Sequence, residues 1–137
     1  VFYRRTHRAH TVDSEFDVAD IDQLPRVDIA PAYAGADGLV IKALAQAGVD
    51  GIVAAGLGSG GSPPPFMAAL KEASDAGMPV VIATGTGSGR VIQTRRFTED
   101  GYIVADNLTP KKARILLMLA LTVTKEPAEI QRMMLTY

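Results

Sequence analysis

Residues 51–65 read GIVAAGLGSGGSPPP, and this stretch decides the fold. Its first five residues are small or β-branched, as in a strand that is buried on both faces. Four glycines follow between residues 56 and 61, and three prolines then mark the start of a helix. A strand, a glycine-rich turn and a helix in this order form a βα unit. Open α/β sheets build their binding sites at such turns, so we expect functional residues here.

The same alternation of strand and helix continues on both sides of this turn. It predicts four strands, over residues 27–33, 51–57, 78–84 and 102–106. Strands that alternate with helices indicate a parallel sheet with right-handed crossovers. We therefore predict an α/β fold: a small doubly wound sheet, Rossmann-like or flavodoxin-like, mainly parallel, of about four strands with helices on both faces.

Apolar residues at helical spacing predict the helices. The first has its N-cap at Asp37, ends at Gly48 and faces inward with Leu39, Val40, Ala43, Leu44 and Ala47. The second has Ser62 and Pro63 as N-cap and first residue, faces inward with Phe66, Met67, Leu70 and Ala73, and ends at Gly77. Two more helices are predicted, from a cap at Thr109 through Thr124 and after Pro127, whereas no helix signal directly follows the second glycine turn at residues 85–89.

Composition restricts the class of protein. The chain has 137 residues, 47% of them hydrophobic, which is enough for one globular domain. Its 14 basic and 15 acidic residues give a net charge of −1, so we expect neither nucleic acid nor a membrane as a partner. The longest apolar run, residues 115–121, is far below the roughly 18 residues of a membrane span, which predicts a soluble domain.

The ends of the chain and its lack of cysteine add little about location. Without cysteine there is no disulfide, thiol nucleophile or cysteine metal site, and the compartment stays open between cytoplasmic and exported. A chain that begins at Val1 rather than Met is expected to come from a longer one. Residues 1–26 are polar and irregular, basic at first and then acidic, and are predicted to be a connector with a strand near residues 2–5. Residues 27–137 form the predicted domain.

The glycine turn matches the dinucleotide pattern G-x-G-x-x-G from Gly56 to Gly61. A nicotinamide-binding unit also needs an acid at the end of the next strand, but that strand ends in Thr84. The three prolines also depart from the usual helix entry. Nucleotide binding is therefore kept only as a third hypothesis, which rests on the glycine pattern alone.

No self-contained catalytic or metal site is evident in the sequence. Both histidines, His7 and His10, lie in the connector, and there is no nucleophile elbow of the form G-x-S-x-G. We predict no metal and no cofactor. Hydroxyl side chains near the two glycine turns, together with free backbone N–H groups, can bind a small polar ligand; they belong to Ser59, Ser62, Thr84, Thr86 and Ser88. The alternative is that the glycines merely form tight turns.

Several blocks of sequence occur in the order of a known family. They are Phe16-Asp17-Val18, Leu24-Pro25-Arg26-Val27, Tyr33, Ala47-Gly48-Val49-Asp50-Gly51-Ile52-Val53, Ala55-Gly56-Leu57-Gly58-Ser59-Gly60, Pro79-Val80-Val81 and Leu108-Thr109-Pro110-Lys111-Lys112-Ala113-Arg114. Over nearly the whole chain, these blocks resemble the carboxy-terminal domain of type II L-asparaginases. The Asp-Gly-Ile-Val and Pro-x-Lys-Ala-Arg blocks are the most specific.

The resemblance implies hydrolysis of L-asparagine, and to a lesser degree L-glutamine, to the acid and ammonia. It places the nucleophilic threonine in a larger amino-terminal domain upstream, so no catalytic residue is assigned in this chain. It also implies homodimers or homotetramers in which the carboxy-terminal domain of one subunit closes the active site of its neighbour. The implied substrate-binding residues are Gly58, Ser59, Gly60, Gly61 and Ser62, with Glu99 as a further candidate.

Two departures from the family pattern keep an alternative open. The family's glycine turn usually reads Gly-x-Gly-Asn-Gly-Asn, but Ser59 and Gly61 occupy the two asparagine positions here. The family's Ser-Arg-Val is replaced by Thr84-Gly85-Thr86, and Arg95-Arg96 occur where a glutamate near the substrate ammonium is expected, with Glu99 and Asp100 as the nearest acids. The alternative is a non-catalytic module of the same fold that binds a small ligand or mediates oligomerisation through residues 110–124.

Overall fold

The structure, a computed structural model, describes residues 9–19 and 21–137. The strand expected near residues 2–5 lies outside these residues. The elements are a short 3-10 helix, Thr11–Asp13, followed by β1 Val27–Pro31, α1 Leu39–Gln46, β2 Gly51–Gly56, α2 Pro64–Asp75, β3 Val80–Thr84, α3 Arg95–Glu99, β4 Ile103–Val104, α4 Pro110–Ala120 and α5 Pro127–Thr136.

The four strands form one parallel sheet in the order β1-β2-β3-β4. In register, Gly56 at the end of β2 lies beside Thr84 at the end of β3. The two glycine turns therefore leave the sheet side by side at its carboxyl edge. This arrangement brings the β2–α2 turn close to the connection between β3 and β4.

Both faces of the sheet are covered, and successive strand residues divide between two cores. One core joins Ile52, Ala54 and Ile82 of the sheet to α1 and α2, with Phe97 of α3 against it. The other joins Val53 and Val81 to α4 and α5. The predicted four-stranded parallel sheet with helices on both faces is confirmed. The crossover connections between neighbouring parallel strands are right-handed, so α1 to α3 lie on one face of the sheet. The two C-terminal helices cover the other face.

Two polar contacts hold β1 in place. Asp50 accepts a hydrogen bond from the Arg26 N–H at 2.7 Å, and its own N–H donates to the Arg26 carbonyl, also at 2.7 Å. The Arg114 side chain of α4 donates through Nε to the Val27 carbonyl at 2.6 Å. The Asp-Gly-Ile-Val and Pro-x-Lys-Ala-Arg blocks thus both fasten the first strand of the sheet.

The prediction for the inward face of α1 was wrong except for Leu44, which is half-buried and packs against the core. Leu39 is 72% exposed, and Val40 is also exposed, as are Ala43 and Ala47, whereas Ile41 is buried. The N-cap residue is Gly38 rather than Asp37, although the Asp37 carboxylate still accepts from the Leu39 N–H at 3.0 Å. Gly38 lies against α2, where a Cβ would come within 2.6 Å of the Ala69 side chain.

The start of α2 is also shifted from its prediction. Pro63 is the N-cap and Pro64 the first helical residue, so Ser62 does not cap the helix. The predicted inward face is confirmed, since Phe66, Met67, Leu70 and Ala73 are buried.

The segment after the second glycine turn contains one helix that was not predicted and one that is shorter than predicted. The turn is followed by the short helix α3, whose N-cap Thr94 accepts from the Phe97 N–H at 3.2 Å. Helix α4 ends at Ala120 rather than Thr124. Within residues 9–19 and 21–137, no helix has the length and hydropathy needed to cross a membrane.

Candidate functional site

The turn after β2 is held by its own backbone. Leu57 donates its N–H to the Gly61 carbonyl at 2.6 Å, and Gly60 donates to the Leu57 carbonyl at 3.0 Å. Gly58 and Gly60 have positive φ angles of 52° and 97°, a conformation that glycine adopts without strain. Leu57 and Gly61 thereby form an antiparallel bridge that closes the turn, and Ser59 lies at its exposed tip.

The adjoining N-terminus of α2 is poor in donors. Pro63 is the N-cap, and Pro64 and Pro65 are the first two helical residues, so none of these three positions carries an N–H group. Phosphate binding at a helix N-terminus depends on those N–H groups. The dinucleotide hypothesis therefore lacks its usual phosphate donors at this turn.

A cavity of about 370 Å³ opens beside the turn at the carboxyl edge of the sheet. Ser59 and Gly61 form one wall, and both are exposed. The opposite wall comes from the β3–β4 connection and α3 and contributes Thr94 and Arg96. The apolar lining consists of Met67, Ile92 and Phe97.

The β3–β4 connection that forms this wall is anchored to the sheet. Asp106, which is buried and has a φ of 53°, accepts from Arg90 Nε at 2.6 Å. The Val91 N–H donates to the Asp106 carbonyl at 2.8 Å. The Val91 side chain packs against Gly60 of the glycine turn so closely that a Cβ on Gly60 would lie 3.0 Å from Val91 Cγ1. The ion pair therefore positions the second wall relative to the glycine turn.

Of the five hydroxyl residues singled out by sequence, only Ser59 lines this cavity. The Thr84 and Thr86 hydroxyls lie 2.7 Å apart, and Thr86 also donates to the Ser88 carbonyl at 2.8 Å. The Ser62 hydroxyl is buried and has no hydrogen-bond partner among the described residues. The two glycine turns thus do not form a single cluster of hydroxyl ligands.

The candidate acid Glu99 does not line the cavity. Its carboxylate instead accepts a hydrogen bond from Arg95 Nε at 2.7 Å, one helical turn away. Arg96 points to the cavity instead, and its Nε lies 3.7 Å from Asp100 Oδ2. His10 lies in the connector with its Nδ1 3.1 Å from the Thr11 hydroxyl, and His7 is outside the described residues. Within those residues, no group of three His, Asp or Glu side chains has the geometry of a metal site.

Sequence reasoning singled out the loop at residues 84–100 but named none of its three cavity residues Ile92, Thr94 and Phe97. They lie between a glycine turn and a very short strand, in a region with no long helical or alternating pattern. The one signal that was available is Thr94 followed by Phe97 at the spacing of a helix cap. Behind the cavity, the Tyr102 hydroxyl donates to the Met67 carbonyl at 3.2 Å. Burial, reinforced by the charge of Asp100, raises the pKa of Tyr102 to about 12.

A larger, mostly apolar groove of about 630 Å³ lies on the other face of the sheet. It is bordered by the connector residues His10 and Phe16 and by Ile115 of α4. The connector is held there by Glu15, which receives hydrogen bonds from Arg132 at 2.6 and 3.1 Å.

Comparison with known proteins gives a consistent family match. Residues 26–134 match the family described as Glutaminase/Asparaginase C-terminal domain. The chain is 39% identical to the glutaminase-asparaginase of Pseudomonas fluorescens biotype A, with 99% of the chain and 38% of that protein covered. It is 41% identical to L-asparaginase 2 of Escherichia coli K12, with 98% of the chain and 40% of that protein covered.

A solved structure agrees with the fold. The crystal structure of the "Probable Cytoplasmic L-asparaginase" of Campylobacter jejuni superimposes with a TM-score of 0.93 at 40% identity, over 100% of this chain and 44% of that one. The chain thus spans about two fifths of the length of the relatives that it matches.

Proposed function

Since the chain belongs to the glutaminase/asparaginase C-terminal domain family, we propose that it forms part of an amidohydrolase that converts L-asparagine, and L-glutamine, to the acid and ammonia. The chain supplies one wall of the active site through the turn from Gly58 to Ser62. The nucleophilic threonine comes from an upstream amino-terminal domain, to which residues 1–26 connect.

The observation that carries this proposal is the cavity between the glycine turn and α3. Ser59 and Gly61 of the turn line it, and the Ser59 hydroxyl offers a donor and an acceptor. A volume of about 370 Å³ matches a small amino-acid amide plus the groups of a second domain.

The described residues contain no nucleophile with an adjacent base at this cavity. Acyl transfer needs a hydroxyl activated by a neighbouring base within hydrogen-bond reach. The Thr84 and Thr86 hydroxyls are hydrogen-bonded to each other, and Thr86 also donates to the Ser88 carbonyl. This arrangement supports an upstream origin for the nucleophile and for the groups that activate it.

The test is ammonia release from L-asparagine and L-glutamine by the complete gene product, with the 137-residue chain alone as control. We expect turnover by the complete protein and none by the chain alone. If the complete protein releases no ammonia from either amide, then the hydrolase proposal is wrong.

Gly61 offers a direct gain-of-function test. A Cβ at this position would have the Leu57 carbonyl oxygen, 3.8 Å away, as its nearest neighbour, so a side chain fits. Gly61→Asn in the complete protein adds an amide at the cavity, and we expect kcat/KM for L-asparagine to rise about tenfold. Gly61→Ala is the matched control, since it adds the Cβ without the amide and is expected to leave kcat/KM unchanged.

The alternative, a non-catalytic binding module, is favoured by the absence of any side chain at Gly61. It predicts that calorimetry detects binding of L-aspartate or L-asparagine to the complete protein while no ammonia is released. Ammonia release at a rate that depends on Ser59 and the turn would contradict it.

We also propose that the complete protein assembles into a homodimer or homotetramer. Tyr33 and Leu39, which are 61% and 72% exposed, surround an apolar depression of about 260 Å³ with Pro31 and Val40. Exposed apolar groups of this size favour burial against another protein surface. Light scattering coupled to size exclusion is expected to give the mass of two or four subunits, and a monomer at micromolar concentration would contradict this.

A further inference from the structure

The groove of about 630 Å³ on the α4 face of the sheet is separate from the cavity at the glycine turn. The connector forms one wall through His10 and Phe16, and α4 forms the other through Ile115 and Leu119. The lining is mostly apolar, and the Ile115 side chain is 51% exposed. A concave apolar surface of this extent is typical of an interaction site.

The connector is fastened beside the groove and does not fill it. The Ala9 N–H donates to the Thr136 carbonyl of α5 at 3.4 Å, and Glu15 receives two hydrogen bonds from Arg132 of the same helix. These contacts hold the connector along α5. The space between the connector and α4 therefore needs another occupant.

The charged side chains at the groove are positive. Lys111 and Lys112, in the first turn of α4, line it, and no Asp or Glu side chain among the described residues does. Neither lysine ammonium has an ion-pair partner within residues 9–19 and 21–137. The first backbone N–H groups of a helix also favour negative charge nearby. A surface that complements this groove is therefore apolar and carries carboxylates.

The tether of the chain favours an upstream domain over a second copy as the occupant. The chain matches a C-terminal domain family and spans about two fifths of the length of its relatives. The eight residues that precede Ala9, at the wall of the groove, span at most about 30 Å. A domain tethered at such a distance has an effective concentration of about 1 mM, roughly a thousandfold above a second copy at micromolar concentration.

We propose that this groove is the docking surface for the upstream amino-terminal domain of the same polypeptide. That domain places an apolar segment flanked by Asp or Glu side chains between the connector and α4. The proposal rests on the upstream domain of the proposed function, but not on amide hydrolysis. The docking surface shares no residue with the cavity at the glycine turn.

The first test measures thiol accessibility in the complete protein. The 137-residue chain has no cysteine, so Ile115→Cys and Val123→Cys each place a single thiol in it. The two native side chains are 51% and 57% exposed, and only Ile115 lines the groove. We expect a maleimide to label Ile115→Cys about tenfold more slowly than Val123→Cys, because docking buries the first position alone. Equal labelling rates, with the labelled peptides identified by mass, would overturn the proposal.

A photo-crosslink identifies the occupant. The complete protein with p-benzoylphenylalanine in place of Ile115 is irradiated at micromolar concentration and separated on a denaturing gel. We expect a product with the mass of one chain, in which α4 is joined to an upstream peptide that contains Asp or Glu beside apolar residues. A product with the mass of two chains would assign the groove to a second copy and overturn the proposal, as would the absence of any crosslink.

The charge of the docked surface is tested with Lys111→Glu in the background of Ile115→Cys. We expect labelling of the thiol to become about threefold faster, because carboxylates then meet like charge and docking weakens. The matched control is Lys125→Glu, at an exposed lysine that does not line the groove. Equal labelling rates in the two backgrounds would contradict an acidic partner surface.

Ammonia release from L-asparagine, measured on the same samples, separates failure of this inference from failure of the proposed function. Slow labelling of Ile115→Cys without ammonia release would support the docking surface and contradict the hydrolase. Ammonia release with equal labelling of Ile115→Cys and Val123→Cys would support the hydrolase and contradict the docking surface.

Discussion

Gly60 and Gly61 are neighbours in the turn after β2, but their surroundings differ. Gly60 has a φ of 97°, and a Cβ there would lie 2.6 Å from Ile82 Cγ2 and 3.0 Å from Val91 Cγ1. A Cβ on Gly61 would instead meet only the Leu57 carbonyl oxygen, at 3.8 Å, an ordinary contact distance. Because one glycine is required by packing and the other is not, the turn keeps its shape while one of its positions is free to carry a ligand-binding side chain.

Gly60→Ala is expected to lower the free energy of unfolding by about 2–4 kcal/mol, since it adds both a clash and backbone strain. Gly61→Ala, the same change one residue later, is expected to leave it unchanged or to raise it by up to about 1 kcal/mol. Urea denaturation of the two variants checks this. Equal destabilisation by both substitutions would show that the packing around Gly60 does not hold the turn.

The raised pKa of Tyr102 predicts that the protein loses stability at alkaline pH. Its pKa is raised by burial to about 12 from a model-peptide value of 10.0, so the folded state holds the phenol proton more tightly than the unfolded state. The resulting stabilisation is fully present below pH 10 and is lost as the pH rises from 10 to about 12, by about 2 kcal/mol.

Tyr102→Phe removes this titration, although it also removes the hydrogen bond to the Met67 carbonyl. We expect the variant to be less stable than the wild type at pH 8 by about 1 kcal/mol, with the gap narrowing above pH 10. Tyr33→Phe, at an exposed tyrosine, is the control. A gap in urea midpoints that stays constant from pH 8 to 11.5 would contradict the assignment.

At the scale of elements, the weakest part of the sheet is β4, which has only two residues. Gln131 of α5 completes it, because its Oε1 accepts from the Val104 N–H at 2.8 Å and its Nε2 donates to the Val104 carbonyl at 3.1 Å. The side-chain amide therefore makes the two hydrogen bonds to Val104 that the backbone of a fifth strand would make. It also fastens α5 to the edge of the sheet beside the β3–β4 connection.

Gln131→Leu is expected to lower the free energy of unfolding by about 2 kcal/mol, because it leaves both Val104 backbone groups without a partner. The matched control is Gln46→Leu at the end of α1, where the glutamine is exposed and the change is expected to cost less than about 0.5 kcal/mol. Denaturant midpoints compare the two. Similar midpoints would mean that Gln131 contributes nothing to the edge strand.

Element prediction from sequence succeeded where the pattern is strong and failed where packing decides. The buried face of α2 follows from four apolar residues at helical spacing, and all four are buried. Helix α1 is short and apolar on most sides, so the spacing of its residues does not select one face. Packing against the core buries Ile41 and half-buries Leu44, and this packing is invisible in the local sequence.

At the scale of the whole molecule, the connector and the C-terminal helix are joined across more than 110 residues. Glu15 receives two hydrogen bonds from Arg132, and its own N–H donates to the Tyr137 hydroxyl at 2.8 Å. The Phe16 and Tyr137 rings lie 5.0 Å apart. This clamp fastens the connector at Glu15 and Phe16 to the C-terminal helix.

The clamp predicts a loss of stability in acid. The hydrogen bonds from Arg132 hold the pKa of Glu15 below its usual value of 4.5, so its contribution is present above that pH and is lost as the pH falls through the folded-state pKa. Glu15→Gln is expected to lower the free energy of unfolding by up to about 1 kcal/mol at pH 7. The difference from the wild type, followed by urea denaturation, is expected to shrink as the pH falls below 4.5 and to vanish once the pH lies below the folded-state pKa of Glu15; a difference independent of pH would exclude the ion pair as its cause.

The sequence by itself determined the alternation of strands and helices, the two glycine turns at the carboxyl edge, the family and the four-stranded sheet. The strands, helices and turns follow from local preferences, since glycine, proline and β-branched residues restrict the backbone within a few positions. The family follows from the order of the sequence blocks. Only the tertiary structure decided that Ser59, Gly61 and Arg96 share one cavity and that Glu99 does not enter it. Those residues lie some 35 positions apart, and their meeting depends on the register of β2 with β3 and on the Arg90–Asp106 pair that positions the connection between β3 and β4.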